Sequence, residues 1–217
     1  MSNRIQYGFR FIGGFSGGSC YPNPVKRFVA SDASFDVNGG AANVGLGPGD
    51  PVRELNDGSV TLCDGSEGSG GALDPWGIVV AVLPYWSVSE QVMRYGDVLP
   101  SHTVYGSNLA RQSWVMVQPI HGVRWEVDAD AGSAPTTKAG YQALIGANVD
   151  HVLTGGAGES RAKPLIDISS ADTTGTLKWR IVGIADTENN RDFSEDRVKL
   201  VVVGNDIQHP AYNSTGI

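Results

Sequence analysis

The stretch VRWEVD alternates strictly, with Val123, Trp125 and Val127 at one set of positions and Arg124, Glu126 and Asp128 at the other. Successive side chains of a β-strand point to opposite faces, so this pattern predicts a strand with one apolar and one wet face. TLKWRIVGIAD repeats it, setting Leu177, Trp179 and Ile181 against Lys178 and Arg180. GIVVAVLPYW, over 77–86, is instead a continuous apolar run and predicts a strand buried on both faces. RVKLVVVGND predicts one more strand near the end. GDPVRELNDGSVTLC carries Asp57-Gly58 between two short runs, the strongest short-range hairpin signal. His121-Gly122, between SWVMVQPI and VRWEVDAD, reads as a second hairpin turn.

Helical periodicity is scarce. Ser87-x-x-Glu90 fits a capping box ahead of QVMRYG, and KAGYQALIG predicts two turns near 138–145. Neither is long enough to organise a fold. Short strands spaced by turns predict an all-β domain, a barrel or sandwich with only short helices, over 46–217.

Residues 1–45 differ. Short apolar pieces alternate with glycine and proline, and no amphipathic period lasts long enough for a helix. This predicts an extended N-terminal arm; a buried N-terminal strand with long loops is the alternative. The arm carries apolar anchors at Tyr7, Phe9, Phe11, Phe15 and Phe28, and it is locally basic through Arg4, Arg10, Lys26 and Arg27.

Composition narrows the function classes. The formal charge is -7, which opposes a duplex-binding surface built on dense Lys and Arg. The 29 glycines follow no collagen-like period and so mark turns. Cys20 and Cys63 lie outside any CxxC and cannot form a zinc site alone; buried thiols are expected over a single disulfide. MSNRIQYGFRF lacks the apolar stretch of a signal peptide, which predicts synthesis in a cytoplasm.

Catalytic candidates fail on context. Gly14-Phe15-Ser16-Gly17-Gly18 matches G-x-S-x-G, the nucleophile elbow of serine hydrolases. That elbow needs a helix directly after the serine, and Pro22 and Pro24 block one. The four histidines are scattered; Asp150-His151 reads as a surface hydrogen bond. Asp186, Glu188 and Asn190 are spaced like early calcium-loop ligands. Arg191 and Arg197, however, stand where the loop needs glycine and a bidentate glutamate. GGFSGGS and GGAGES lack the Lys-Ser/Thr or helix of a phosphate loop. The five tryptophans sit in or beside apolar strands, which favours core packing over a sugar-binding floor. No enzyme, metal site or cofactor is expected.

Several blocks, in order, resemble the capsid decoration, or cement, proteins of tailed bacteriophages. GLGPGDPVRELNDGSVTLCDG followed by GIVVAVLPYW is similar to the opening hairpin and buried strand of that family. SWVMVQPIHGVRWEVDAD, AGYQALIGANVDHV, TTGTLKWRIVGIADTENN and VKLVVVGNDIQHP continue the order, so the resemblance spans most of 45–210. It implies a structural protein on the outer capsid surface of a virion, made in the host cytoplasm. The implied partners are the major capsid protein and further copies of itself, as a trimer ahead of a dimer, without direct nucleic acid or membrane contact. The arm residues Arg4, Tyr7, Phe9, Arg10, Phe11, Phe15, Lys26, Arg27 and Phe28 become capsid-interface candidates. A carbohydrate- or receptor-binding β-module is the alternative function, favoured if several tryptophans lie exposed together.

Overall fold

The computed structural model describes residues 8–14, 23–29, 45–55, 58–63, 75–87, 92–99, 113–130, 134–154, 163–175, 177–186, 190, 192–193 and 198–205. They form β1 (Arg10–Gly14), β2 (Val25–Phe28), β3 (Pro51–Glu54), β4 (Val60–Leu62), β5 (Gly77–Val82), β6 (Tyr85–Ser87) and β7 (Val92–Arg94). β8 (Trp114–Pro119), β9 (Val123–Asp128), α1 (Lys138–Ala143), β10 (Asn148–Thr154), β11 (Lys163–Asp172), β12 (Trp179–Ile184) and β13 (Lys199–Gly204) follow. The chain is all-β with one short helix among the described residues, and its arrangement is sandwich-like rather than a closed barrel.

Two sheets carry the fold. One has six strands in the order β1-β9-β13-β12-β10-β11, the other five in the order β2-β8-β5-β3-β4, and every ladder is antiparallel. Each sheet curls back on itself through one parallel bridge. Ala129, just past β9, meets Ile166 of β11, and Val29, just past β2, meets Val60 of β4. Such curvature lets each sheet wrap its own apolar face, so two cores form. Trp125, Trp179, Ile181, Leu200 and Val202 lie in the six-stranded core. Leu46, Val52, Val60, Val79, Val115 and Val117 lie in the five-stranded one. The cores interlock, because Ile78 of β5 packs into the six-stranded core and Leu153 of β10 into the five-stranded one.

The alternation read from VRWEVD holds. Val123, Trp125 and Val127 are buried in the core. On the opposite face Glu126, beneath Arg10 and Lys199, and Asp128 are also buried, so these two positions are polar without being wet. The hairpin expected at Asp57-Gly58 joins β3 and β4, with Leu55 N–H donating to Ser59 O at 2.8 Å. α1 occupies the predicted turns; Thr137 caps it by accepting from Gly140 N–H.

Three local expectations are corrected. His121-Gly122 is a turn, but β8 and β9 belong to different sheets, so it is a corner between sheets and not a hairpin. GIVVAVLPYW is not one strand: Leu83-Pro84 separates β5 from β6, since proline cannot donate to a ladder. The stretch after Ser87 holds strand β7 in place of a helix, paired to β6 through Trp86–Met93 and Tyr85–Arg94. A capping-box spacing occurs by chance in turns, and the β-branched and aromatic residues on either side favour a ribbon.

β5 shows how tightly the five-stranded sheet is set. A Cβ on Gly77 would overlap Val117 Cγ1 and lie 2.8 Å from Gln118 O. Only glycine lets β5 and β8 approach this closely.

Candidate functional site

The N-terminal candidates fall on two edge strands, one in each sheet, where sequence reasoning expected an arm or a buried strand. β1 borders β9, with Arg10 opposite Glu126 and Phe11 opposite Trp125. Phe9 is 3% exposed and stacks on Trp179, with ring centroids 4.4 Å apart and planes at 27°. Its N–H donates to Gly49 O at 3.0 Å. Gly8 makes that contact feasible. Its φ is +65°, in the left-handed region, and a Cβ there would lie 2.7 Å from Gly49 O. Phe9 is therefore a core residue and is not available to a partner. Phe11, half-buried, meets Trp125 edge-on at 5.9 Å.

Arg10 completes an ion network. Its Nη2 donates to Glu126 Oε2 at 2.8 Å, while Lys199 Nζ donates to Glu126 Oε1 at 3.2 Å. The Glu126 side chain is only 4% exposed, so two cations compensate one buried carboxylate. The Arg10 side chain remains 52% exposed.

β2 lies along β8 with Val25, Lys26, Arg27 and Phe28 opposite Val117, Met116, Val115 and Trp114. Lys26 Nζ sits 4.2 Å from the Trp114 ring centroid, and Phe28 meets the same ring edge-on at 5.8 Å. Arg27 lies over Trp76 at 4.6 Å, and its Nε is 3.2 Å from Glu54 Oε1, close enough for ion pairing though not aligned as a hydrogen bond. Thus the described basic and aromatic candidates make contacts within their own chain. Arg4, Tyr7 and Phe15 lie outside the described residues, as do Ser16 and Cys20.

Sequence reasoning missed the most exposed apolar surface among the described residues. The ribbon β6–β7 pairs with neither large sheet. Val92 is 44% exposed, Met93 47% and the adjoining Tyr95 81%. The run QVMRY carried the signal, since apolar residues there have no partner face. The helical reading of that run hid it.

His151 is fully buried, which corrects its surface reading. Alternation along β10 turns Asp150 to the outer face, where its Oδ1 accepts from Lys178 N–H at 3.1 Å. His151 faces inward between the sheets. Its Nδ1 accepts from Trp179 Nε1–H at 3.1 Å, and its Nε2 lies 2.9 Å from Cys63 O. Both contacts together select the tautomer with hydrogen on Nε2, which then donates to Cys63 O. His151 therefore ties the six-stranded sheet to the end of β4. Cys63 itself is a buried thiol.

Asn190 in the acidic loop serves the backbone. Its Nδ2 donates to Ala185 O at 2.8 Å and Lys199 O at 2.9 Å, and its Oδ1 accepts from Lys199 N–H at 2.8 Å. These bonds clamp the loop to the start of β13 and commit the amide to the backbone rather than to an ion. Among the described residues no three His, Cys, Asp or Glu side chains group as metal ligands.

The tryptophans do not form a shared platform. Trp125 and Trp179 are fully buried, Trp76 and Trp114 are half-buried under Arg27 and Lys26, and Trp86, also half-buried, lies on the separate β6–β7 ribbon opposite Met93. Fold and surfaces together define a two-sheet all-β protein with an exposed ribbon and polar outer faces. Comparison with protein-family models, curated proteins and solved structures finds no match. No helix among the described residues is long and apolar enough to cross a membrane.

Proposed function

We propose that this chain is a structural virion protein that binds the outside of an icosahedral phage capsid and stabilises it by bridging major capsid subunits. The observation that carries the reading is the β6–β7 ribbon. Val92 and Met93 of β7 and Tyr95 just past it present apolar and aromatic surface on a ribbon that is hydrogen-bonded to neither large sheet and is anchored to the five-stranded core through Tyr85. Aromatic side chains of this kind are enriched where a partner covers them. The ordered blocks that resemble cement proteins supply the identity of the partner.

The ribbon is small against a standard interface of roughly 1,600 Å². One copy therefore binds weakly, and many copies on a repeating lattice, associated as trimers, act together by multivalency. The net charge of -7 fits a place outside the shell, away from packed nucleic acid. The carbohydrate-binding alternative is less favoured, since of the five tryptophans two are buried, two lie under cations of β2, and only the half-buried Trp86 is on the ribbon.

The test is quantitative mass spectrometry of purified particles, counting this chain against the major shell protein. A fixed ratio, on the order of one copy per few shell subunits, is expected of a symmetric decoration. A handful of copies per particle, or none, overturns the reading. Tyr95→Ser and Met93→Ser should then lower binding to undecorated shells while leaving the fold intact.

A further inference from the structure

On the outer face of the six-stranded sheet the acids of β9 are sunk and the cations stand above them. Glu126 and Asp128 are buried, whereas the Arg10 side chain of β1 is half exposed. Glu126 is held by Arg10 and Lys199. Arg124, two positions from Glu126 on the same face of β9, has no such counterpart. Its Nε is buried without a hydrogen-bond partner, and no carboxylate among the described residues lies within ion-pairing range of its guanidinium. The outward acids of β10 and β11 are engaged elsewhere: Asp150 Oδ1 accepts from Lys178 N–H, and Asp167 Oδ1 accepts from the N–H and hydroxyl of Ser169.

The fold leaves room beside this arginine. β1 carries a bulge: Phe11 lies opposite Trp125 and Gly13 opposite Arg124, so Ile12 is the extra residue, and it stands exposed. Gly13 has φ +145° and no side chain to fill the space above it. Among the described residues, the one heavy atom within 4 Å of the place a Cβ would take is Arg124 Nη2, at 3.6 Å. On the other side of β9, Val203 of β13 lies opposite Arg124 and also opposite Arg180 of β12. Val203 is buried although it belongs to neither core, flanked as it is by the long stems of these two arginines. Arg124 therefore lies along the sheet, already partly desolvated and ordered in the free chain.

We infer that the bulge of β1 forms a carboxylate-binding notch that takes an aspartate or glutamate side chain from an acidic segment of a partner protein. Gly13 is its floor, Arg124 the recognising cation, and Arg10 and Ile12 its rim. A guanidinium meets a carboxylate through two parallel N–H donors, and a cation ordered beforehand loses less freedom when it does so. The same face already holds one carboxylate between two cations, at Glu126. The formal charge of -7 repels a long phosphate polyanion, whereas a short acidic segment meets chiefly the cations around the notch. The inference needs no shell and stands or falls apart from the capsid reading; on that reading the segment belongs to the shell subunit.

The test is a nitrogen-resolved NMR titration of the full-length chain with a hexaglutamate peptide at low salt. The Ile12 and Gly13 amides and the Arg124 Nε–H should shift saturably, with a midpoint on the order of 1 mM. Raising the salt to about 0.2 M should weaken binding several-fold. Arg124→Gln should raise the midpoint by about tenfold or more while keeping the wild-type unfolding midpoint, because Arg124 has no partner to lose. Lys138→Gln, on exposed α1, makes the same change in net charge and should leave the titration unaltered. Absence of shifts at Gly13 and Arg124 up to about 10 mM peptide overturns the notch. Equal losses in the two variants overturn it as well, since they would mean attraction spread over the whole chain. Acetate binding as tightly as the peptide overturns the acidic segment as occupant, and a thymidine oligonucleotide shifting the same residues at lower concentration overturns the carboxylate in favour of phosphate.

Discussion

Replacing Phe9 with alanine separates an arm that merely trails from the body from one built into it. Phe9 is 3% exposed, stacked on Trp179 at 4.4 Å and edge-on to His151 at 6.1 Å. Truncating a buried phenylalanine to alanine costs about 3–5 kcal/mol, the sum of lost transfer energy and the cavity left behind. The stack is part of that loss, since aromatic pairs are worth about 0.5–1.5 kcal/mol beyond their buried area. Collapse of the cavity is resisted by β-branched and indole neighbours fixed in ladders, so about 4 kcal/mol is the working value. Typical domains are stable by only about 5–15 kcal/mol, so this is a large share. With a urea slope of about 2–3 kcal/mol per molar for a chain of this size, the midpoint falls by about 1.5 M. The assay is urea unfolding followed by tryptophan fluorescence, with Tyr95→Ala as the exposed control. A Phe9→Ala shift below about 0.3 M, under about 1 kcal/mol, would refute the packing of this segment into the six-stranded core.

Gly77→Ala should destabilise by about 1–3 kcal/mol, because the new methyl overlaps Val117 and Gln118 in a close-set ladder. Gly175→Ala, with nothing within 4 Å, should be neutral or stabilise by up to about 1 kcal/mol; equal unfolding midpoints for the two would sink the argument. Glu126→Gln removes the carboxylate shared by Arg10 and Lys199, and because Arg10 is half exposed the loss should be about 1–2 kcal/mol by the same assay, well under that of a fully buried pair. The Thr173 N–H, then the Thr174 hydroxyl, hold the exposed Asp172 carboxyl below the ordinary aspartate range. A lowered folded value stabilises above the unfolded one and is lost as pH falls through the folded one, so the contribution fades only in strong acid. Carbonyl NMR titration should place the Asp172 midpoint below that of an aspartate in an unstructured peptide; an equal midpoint rejects the turn geometry.

Alternation made β9 and β12 readable, because a half-apolar strand writes its inward residues at every second position. The hairpin at Asp57-Gly58 was readable because its turn chemistry is local. Sheet membership was not: nothing in SWVMVQPIHGVRWEV says that the chain changes sheets at His121, since either outcome needs the same two-residue turn. The position of β1 and β2 was equally hidden. Their apolar residues suit a partner surface or the chain's own sheet edge alike, and only the matching of Arg10 to Glu126 and Lys26 to Trp114 decides between them. His151 illustrates a different failure. Adjacency to Asp150 suggested a surface pair, yet neighbours in a strand point oppositely, and the histidine found its partners in Trp179 and Cys63 instead.

Each sheet packs mainly around its own core, and contacts that cross between them set their mutual position. Phe9 N–H reaches Gly49 O, His151 reaches Cys63 O, and Ile78 and Leu153 trade cores. β1 and β2 stand on opposite sides of that joint, joined by residues 15–24. The buried joint therefore fixes how the two sheets lie on one another. Loosening it with His151→Leu leaves both cores formed but deprives Trp179 Nε1–H and Cys63 O of the imidazole between them. Each sheet should then keep its own ladder while the sheets move relative to one another. Hydrogen exchange would read this as faster exchange at Phe9 and the residues flanking Cys63, with protection in β9 and β13 unchanged. A uniform loss across both sheets would mean instead that the two cores fold as one unit, and that the joint carries no separate mechanical role.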